Sequence, residues 1–417
     1  MDTGELIALL LVLSAVCSWI NSRFLRQPNA IGVLVVTLVG SIIVLIVDRL
    51  VPSLPIHKSI EGTINKVDFY KTFMNGMLAF LLFAGALNVD AGRLKQERWA
   101  VGALATVGVI LSTLIVGTCV WQGSRLLGSE MPAAWAYVFG ALISPTDPVA
   151  VLAILKTLDI PKPLEVRIVG ESLFNDGVGI VVFTIALALA QPNDQIHLSD
   201  VGLLFLREAL GSVVLGAIGG WIAVRAIKSI DNPPVEILIT LATVAGLYTL
   251  ATDLETSAPV TVVVAGILVG SRGADTAMSE TTKGMLFQFW ELVDELLNCL
   301  LFLLIGLQLL VLPIAFQVIG LAVLAVISVF VGRLVSVSVP ILLLLKGTFA
   351  TRAIPIMTWG GVRGGISIAL ALSIGDPNAR TPIVLATYAV VIFSILIQGL
   401  TMRFLIQKTP FESVPND

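Results

Sequence analysis

The stretch Ala141-Leu-Ile-Ser-Pro-Thr-Asp-Pro-Val-Ala150 interrupts an apolar run that covers residues 132–155. Its prolines, 145 and 148, each remove a backbone donor and crowd the preceding turn, so regular helix is not expected across Thr146 and Asp147. A second stretch, Trp359-Gly-Gly-Val-Arg-Gly-Gly-Ile366, breaks the run 353–374 with four glycines around Arg363. Glycine costs about 1 kcal/mol in a helix relative to alanine, so this segment is also primed to unwind. Non-helical backbone inside a bilayer survives only where protein or a water-filled cavity surrounds it. Paired interruptions in two halves of a chain mark a binding site near the membrane midplane.

Working outward, windows of roughly 20 apolar residues, the length a membrane helix needs, recur along the whole chain. Thirteen are predicted, at 5–21, 31–51, 70–88, 99–121, 132–155, 164–190, 201–226, 235–252, 257–271, 286–312, 317–345, 353–374 and 382–404. The window 257–271 is short for a full crossing, and 317–345 is long enough to tilt or kink at Pro340. The interrupted windows are the fifth and the twelfth. Their odd offset reverses direction in the membrane, as an inverted repeat requires. The fold expected is an all-α polytopic membrane protein: a first six-helix repeat over about 5–190, a linking helix over 201–226, a second repeat over 235–404, and a short tail over 405–417.

Composition agrees. The 417 residues are 57% hydrophobic and 13% charged, about half the charge of a soluble domain. A net charge of −3 without a basic tract argues against a nucleic-acid partner. Cys17, Cys119 and Cys299 fall in apolar windows without metal-ligand spacing and read as small buried thiols. Met1-Asp-Thr-Gly-Glu5 lacks a basic signal-peptide start, so the first window is expected to be a span. With the N-terminus outside, sixteen basic residues fall in inside loops and six in outside loops, while Arg207, Arg333 and Arg363 sit within spans. That bias predicts a cytoplasmic C-terminus. The tail carries no nucleotide-binding domain, so transport driven by an ion gradient is expected rather than ATP-driven pumping, and no cofactor is implied.

Charges inside spans carry the chemistry, because a carboxylate or arginine at mid-bilayer costs about 2.5–3.5 kcal/mol on insertion scales. The sixth window reads Gly170-Glu-Ser-Leu-Phe-Asn-Asp-Gly-Val-Gly179. At helical spacing Glu171 stacks under Asn175 and Ser172 under Asp176, which places four oxygen-bearing side chains on one stripe. Carboxylate, amide, hydroxyl and the freed carbonyls of the fifth span are the oxygen ligands a dehydrating monovalent cation needs. Glu171 is expected to neutralise Arg363, and Asp147 to offset the ends of the broken helices. Asp176 has no comparably simple structural role. The partner of Arg333, a carboxylate or a helix end, is left open. Asp253, Glu255, Glu291, Asp294 and Glu295 read as solvated ends or funnel walls that steer cations. His57 and His197 fall in outside loops, so any pH dependence is expected to rest on buried carboxylates.

Ser144-Pro-Thr-Asp-Pro-Val-Ala150, Gly170-Glu-Ser-Leu-Phe-Asn-Asp-Gly177 and Gly361-Val-Arg-Gly-Gly-Ile-Ser367 together resemble the signature stretches of the NhaP/NHE branch of the cation:proton antiporters. Their order and spacing agree over nearly the whole chain. The resemblance implies a dimerisation domain and a core domain in which the fifth and twelfth spans cross. It implies that Asp176 carries ion and proton, assisted by Asn175, Ser172 and Thr146, with Na⁺ held at Asp176, Ser172 and Thr146. Glu171 with Arg363, Asp147 and Arg333 would be architectural. An Asn-Asp pair implies electroneutral one-for-one exchange, in a homodimer of the plasma (inner) membrane. One departure is Ala84, in Phe83-Ala-Gly-Ala-Leu-Asn-Val-Asp90, where some relatives carry a glutamate. The function expected is Na⁺/H⁺ exchange by competition at Asp176. K⁺/H⁺ exchange, a passive cation channel and, far behind, an intramembrane enzyme stand as alternatives.

Overall fold

The computed structural model describes residues 3–51, 62, 68–128, 131–147, 160–191, 198–312, 319–344 and 348–408, with side chains omitted at 198–207, 344 and 348–351. His57, His197, the side chain of Arg207, and the fifth window beyond Asp147 lie outside these residues. In chain order the helices are α1 (Gly4–Leu25), α2 (Asn29–Leu50), α3 (Phe69–Leu87) and α4 (Ala91–Leu126). They continue as α5 (Ala133–Ile143), α6 (Lys162–Ala190), α7 (Leu198–Lys228), α8 (Pro233–Asp253) and α9 (Ala258–Thr276). The last are α10 (Glu280–Gln308), α11 (Ile319–Leu344), α12 (Thr348–Trp359), α13 (Gly365–Leu372) and α14 (Pro377–Lys408).

Among the described residues, ten helices are long and apolar enough to cross a membrane. The windows that depart from this standard do so for visible reasons. α5 stops before Pro145, the twelfth window divides into α12 and α13 at its glycines, and α10 carries Glu291, Asp294 and Glu295 along its length. The short ninth window lengthens to 19 residues by including a π turn at Val269–Gly273. α11 runs unbroken through Pro340. Several starts are set by side-chain caps: Asp68 accepts from the Lys71 amide at 3.0 Å, Asp90 from Gly92 at 2.8 Å and Asp376 from Asn378 at 2.9 Å. Each supplies an acceptor to an amide that the first helical turn leaves unpaired.

Two packing groups emerge. α4, α5 and α6 pack together and against α11–α14, chiefly through α4 with α5, α4 with α11, and α11 with α14. α1 and α2 pack on α10, while α3, α7 and α8 pack around α9. The groups meet where α6 touches α9 and where the start of α13 touches α3 and α10. Because lipid is as apolar as leucine, such packing is driven by close fit rather than by water exclusion. Gly179 is one place where that fit is explicit, since a Cβ there would overlap the Pro145 ring. α6 therefore lies directly against the end of α5, and the two broken stretches face each other beside it.

Candidate functional site

The fifth-span break is a consequence of missing donors. In a continuous helix the Ser144 carbonyl would accept from residue 148, but Pro148 has no N–H. Arg363 supplies the substitute, its Nη1 donating to the Ser144 carbonyl and, at 2.9 Å, to the Pro145 carbonyl. The two breaks also join through backbone, the Asp147 amide donating to the Val362 carbonyl at 2.8 Å. Gly364 makes this approach possible, because a Cβ there would overlap the Asp147 carboxylate. Ser394, which opens a π turn of α14, accepts from the Arg363 amide at 3.0 Å and holds the strand between α12 and α13 in place.

Glu171 forms no ion pair with Arg363, contrary to the expectation from sequence. Its carboxylate takes a two-pronged pair of bonds from Arg333 of α11, one of them Nη2 to Oε2 at 2.9 Å. Arg333 also donates through Nε and Nη2 to the Met357 carbonyl, at 3.2 and 3.0 Å. That carbonyl lies in the last turn of α12, where Gly361 bonds to Thr358 instead of reaching back to Met357. So Arg333 both pairs with a carboxylate and holds a helix end. Each broken helix has one arginine filling the acceptor that its break exposes, and Glu171 balances one of the two.

The remaining stripe of α6 faces the break itself. Asn175 donates through Nδ2 to Thr146 Oγ1 at 2.8 Å and accepts the Thr146 amide at 3.4 Å. Thr146 and Ser172 share a hydroxyl–hydroxyl bond of 3.1 Å. Asp176, one turn beyond Ser172, is 4% exposed and makes no hydrogen bond or ion pair to any described residue. Asp147 is half-buried.

Asp176 lines a cavity of about 540 Å³ that lies between the two packing groups. On one side it is walled by α2, α3 and α10, and on the other by Pro145, Thr146, Asp147, α6 and the start of α13. Among the described residues six carboxylates line it, Asp147, Glu165, Asp176, Glu291, Asp294 and Glu295, and no Lys, Arg or His does. They are spread along the wall: among the described residues no three acidic, His or Cys side chains gather as a metal cluster. Ala84 lines the same cavity and contributes no ligand.

Comparison with known proteins agrees with this architecture. The family profile described as "Sodium/hydrogen exchanger, transmembrane" matches residues 11–408. The chain belongs to the sodium/hydrogen exchanger family. It is 42% identical over 410 residues to the Na⁺/H⁺ antiporter NhaP of Pseudomonas aeruginosa, covering 97% of this chain and 96% of that relative. It is 33% identical over 397 residues to the Na⁺/H⁺ antiporter NhaH of Halobacillus dabanensis, covering 93% of each. The structure of the sodium proton antiporter MjNhaP1 from Methanocaldococcus jannaschii superposes with a TM-score of 0.75 at 19% identity, over 97% of this chain and 98% of that one, which shows the shared fold. The exchanger is thus an integral membrane protein with the antiporter architecture.

Of the residues expected at the site, Ser172, Asn175 and Thr146 are joined by hydrogen bonds, Asp176 lies one turn beyond Ser172, and Glu171 turns to Arg333 of α11. Sequence reasoning missed Glu165, whose spacing to Val169, Leu173 and Asp176 puts it on the cavity face of α6. It also missed Asn298, although Glu291, Asp294, Glu295 and Asn298 follow the i, i+3, i+4, i+7 pattern of one helix face. Ser394 and the Met357 carbonyl had no sequence signal, since neither a π turn nor a freed carbonyl is written in residue type. Asp253 and Glu255 are exposed at the end of α8 and do not line the cavity. Cys17 and Cys299 are buried free thiols, and Cys119 is half-buried.

Proposed function

We propose that the chain exchanges Na⁺ for H⁺, one for one, by competition at Asp176. The observation that carries this reading is the cavity: among the described residues, five carboxylates and no basic side chain share its wall with Asp176, a buried carboxylate without a described partner. The cavity's field concentrates cations, and Asp176 offers either a proton site or an oxygen ligand. Thr146 and Ser172 stand beside Asp176 with hydroxyl oxygens, and Asn175 orients Thr146 through both its amide and its hydroxyl. Na⁺ at Asp176, Ser172 and Thr146 would replace water oxygens with protein oxygens. Relatives named as Na⁺/H⁺ antiporters support Na⁺ as the cation.

Electroneutrality follows from the count of exchanging charges. Glu171 is committed to Arg333, and Asp147 lies against Gly364 at the start of α13, where a negative charge complements the helix dipole. Of the three carboxylates at the breaks, that leaves Asp176 to carry either one proton or one cation. Access alternates when the group containing α6 and the broken helices rocks against the group containing α2, α3 and α10, between which the cavity lies. The thirteen-span inverted repeat, the outside N-terminus and cytoplasmic C-terminus, the plasma (inner) membrane and a homodimer belong to the same proposal, the orientation supported by the bias of basic residues to inside loops.

The test is Asp176→Asn in proteoliposomes with a pH-sensitive dye. A Na⁺ gradient drives proton movement through the parental protein, at a rate insensitive to a clamped voltage. The variant abolishes it. Exchange near the parental rate in the variant overturns the assignment of Asp176.

A further inference from the structure

The polar side chains next to Asp176 are partnered with one another, Thr146, Ser172 and Asn175 forming a linked set of hydrogen bonds. Elsewhere on the cavity wall the situation is the reverse. Two residues of the cavity wall each carry a buried side-chain oxygen with no partner among the described residues, Asn298 Oδ1 on α10 and Ser367 Oγ in the first turn of α13. The residues are 3% and 1% exposed. A buried polar atom left without a partner costs about 1–3 kcal/mol, so each calls for something that enters the cavity to fill it.

The chemistry of the two atoms selects the occupant. Asn298 Nδ2 is committed to Asp294 Oδ1, one turn earlier, at 3.1 Å. What the amide has left is its carbonyl oxygen, which accepts and cannot donate. The surrounding wall is acidic and, among the described residues, has no basic side chain, which disfavours an anion. Asp147, against Gly364, offsets the positive end of α13 beside Ser367. The two walls are adjacent, because a Cβ at Gly365 would overlap Leu301, one turn beyond Asn298. Neutral oxygens flanked by a carboxylate suit a partly hydrated monovalent ion better than a divalent one, which takes several carboxylates at once.

We propose that Asn298 and Ser367 form a second, outer station for the monovalent cation, on the α10–α13 wall of the cavity that Asp176 lines. The acidic face of α10 delivers the ion to Asn298 Oδ1, and Ser367 Oγ receives it from the facing wall while it still keeps part of its water. The step to Asp176 then crosses the cavity between the two packing groups. The station rests on the reading of the chain as a cation exchanger, but it does not require Asp176 to hold the ion.

Sodium NMR relaxation on the purified full chain separates the two ideas. In Asp176→Asn, weak Na⁺ binding persists, and adding Asn298→Ala removes it while adding Asn298→Asp, which keeps the oxygen, retains it. In proteoliposomes, Asn298→Ala and Ser367→Ala each raise KM for Na⁺ about threefold to tenfold, the loss of one ligand-sized interaction, with the change falling on KM rather than kcat. The station is wrong if Asp176→Asn has no residual Na⁺ signal, if Asn298→Ala leaves that signal unchanged, or if neither alanine variant moves KM. Absence of Na⁺-driven proton movement in the parental protein would overturn the exchange reading instead, and the relaxation measurement would still decide the station.

Discussion

Glu171 and Asp176 lie five residues apart on one helix, and both are almost fully buried, at 2% and 4% exposure. The first is gripped by both prongs of Arg333. The second touches no donor among the described residues and faces a cavity lined by carboxylates. Burial alone therefore does not separate an architectural carboxylate from an exchanging one. The partner does. A guanidinium that also caps the Met357 carbonyl makes Glu171 part of a rigid joint, whereas Asp176 keeps its lone pairs for whatever enters.

The sharpest break of this comparison is to remove the carboxylate of each residue and follow folding separately from transport. Glu171→Ala leaves Arg333 buried without its counter-charge and is expected to lower stability by about 3–5 kcal/mol, read as an early melt in detergent. Asp176→Asn removes a buried carboxylate that has no partner among the described residues, so its melting temperature should match or exceed the parental value. Its exchange rate should nonetheless fall by at least about 100-fold, some 2.8 kcal/mol at 1.4 kcal/mol per decade. A Glu171→Ala protein that melts like the parent, or an Asp176→Asn protein that unfolds, would erase the distinction.

Smaller changes sharpen it. Thr146→Val removes the hydroxyl shared with Asn175 and Ser172 while keeping shape, and should raise KM for Na⁺ about tenfold, the worth of one charge-assisted contact. Stopped-flow exchange across a Na⁺ series reads this directly, and an unchanged KM would take Thr146 out of the site. At the cavity rim Glu291→Gln should raise KM only about twofold at low ionic strength, and the difference should vanish near physiological salt, where charges beyond about 8 Å are screened. A salt-independent effect would make Glu291 a ligand rather than a steering charge.

Much of this was legible in the residues. Pro145 and Pro148 announced a break because proline has no amide hydrogen, and the same fact determines that the Ser144 carbonyl needs an outside donor. The four glycines around Arg363 announced the second break for reasons of backbone entropy. The stripe of Glu171, Ser172, Asn175 and Asp176 followed from helical spacing. What was not legible was which arginine meets which acceptor. Arg363 and Arg333 are both intramembrane cations near Glu171, and pairing by charge alone chose the wrong one. The freed carbonyls, which no residue code records, also take guanidinium donors: Arg363 bonds those of Ser144 and Pro145, and Arg333 that of Met357.

By itself the sequence determined that this chain lies in a membrane, that two of its helices are broken, and that costly carboxylates stand at the breaks. Those are properties of composition, proline chemistry and helical period, and they hold whatever the packing. Only the tertiary structure decided that Arg333 rather than Arg363 pairs with Glu171, that Asp176 has no partner among the described residues, and that Asn298 and Ser367 share its cavity. Such outcomes depend on the distance between atoms many residues apart along the chain, which the packing of α6, α10, α11 and α13 sets and residue type does not.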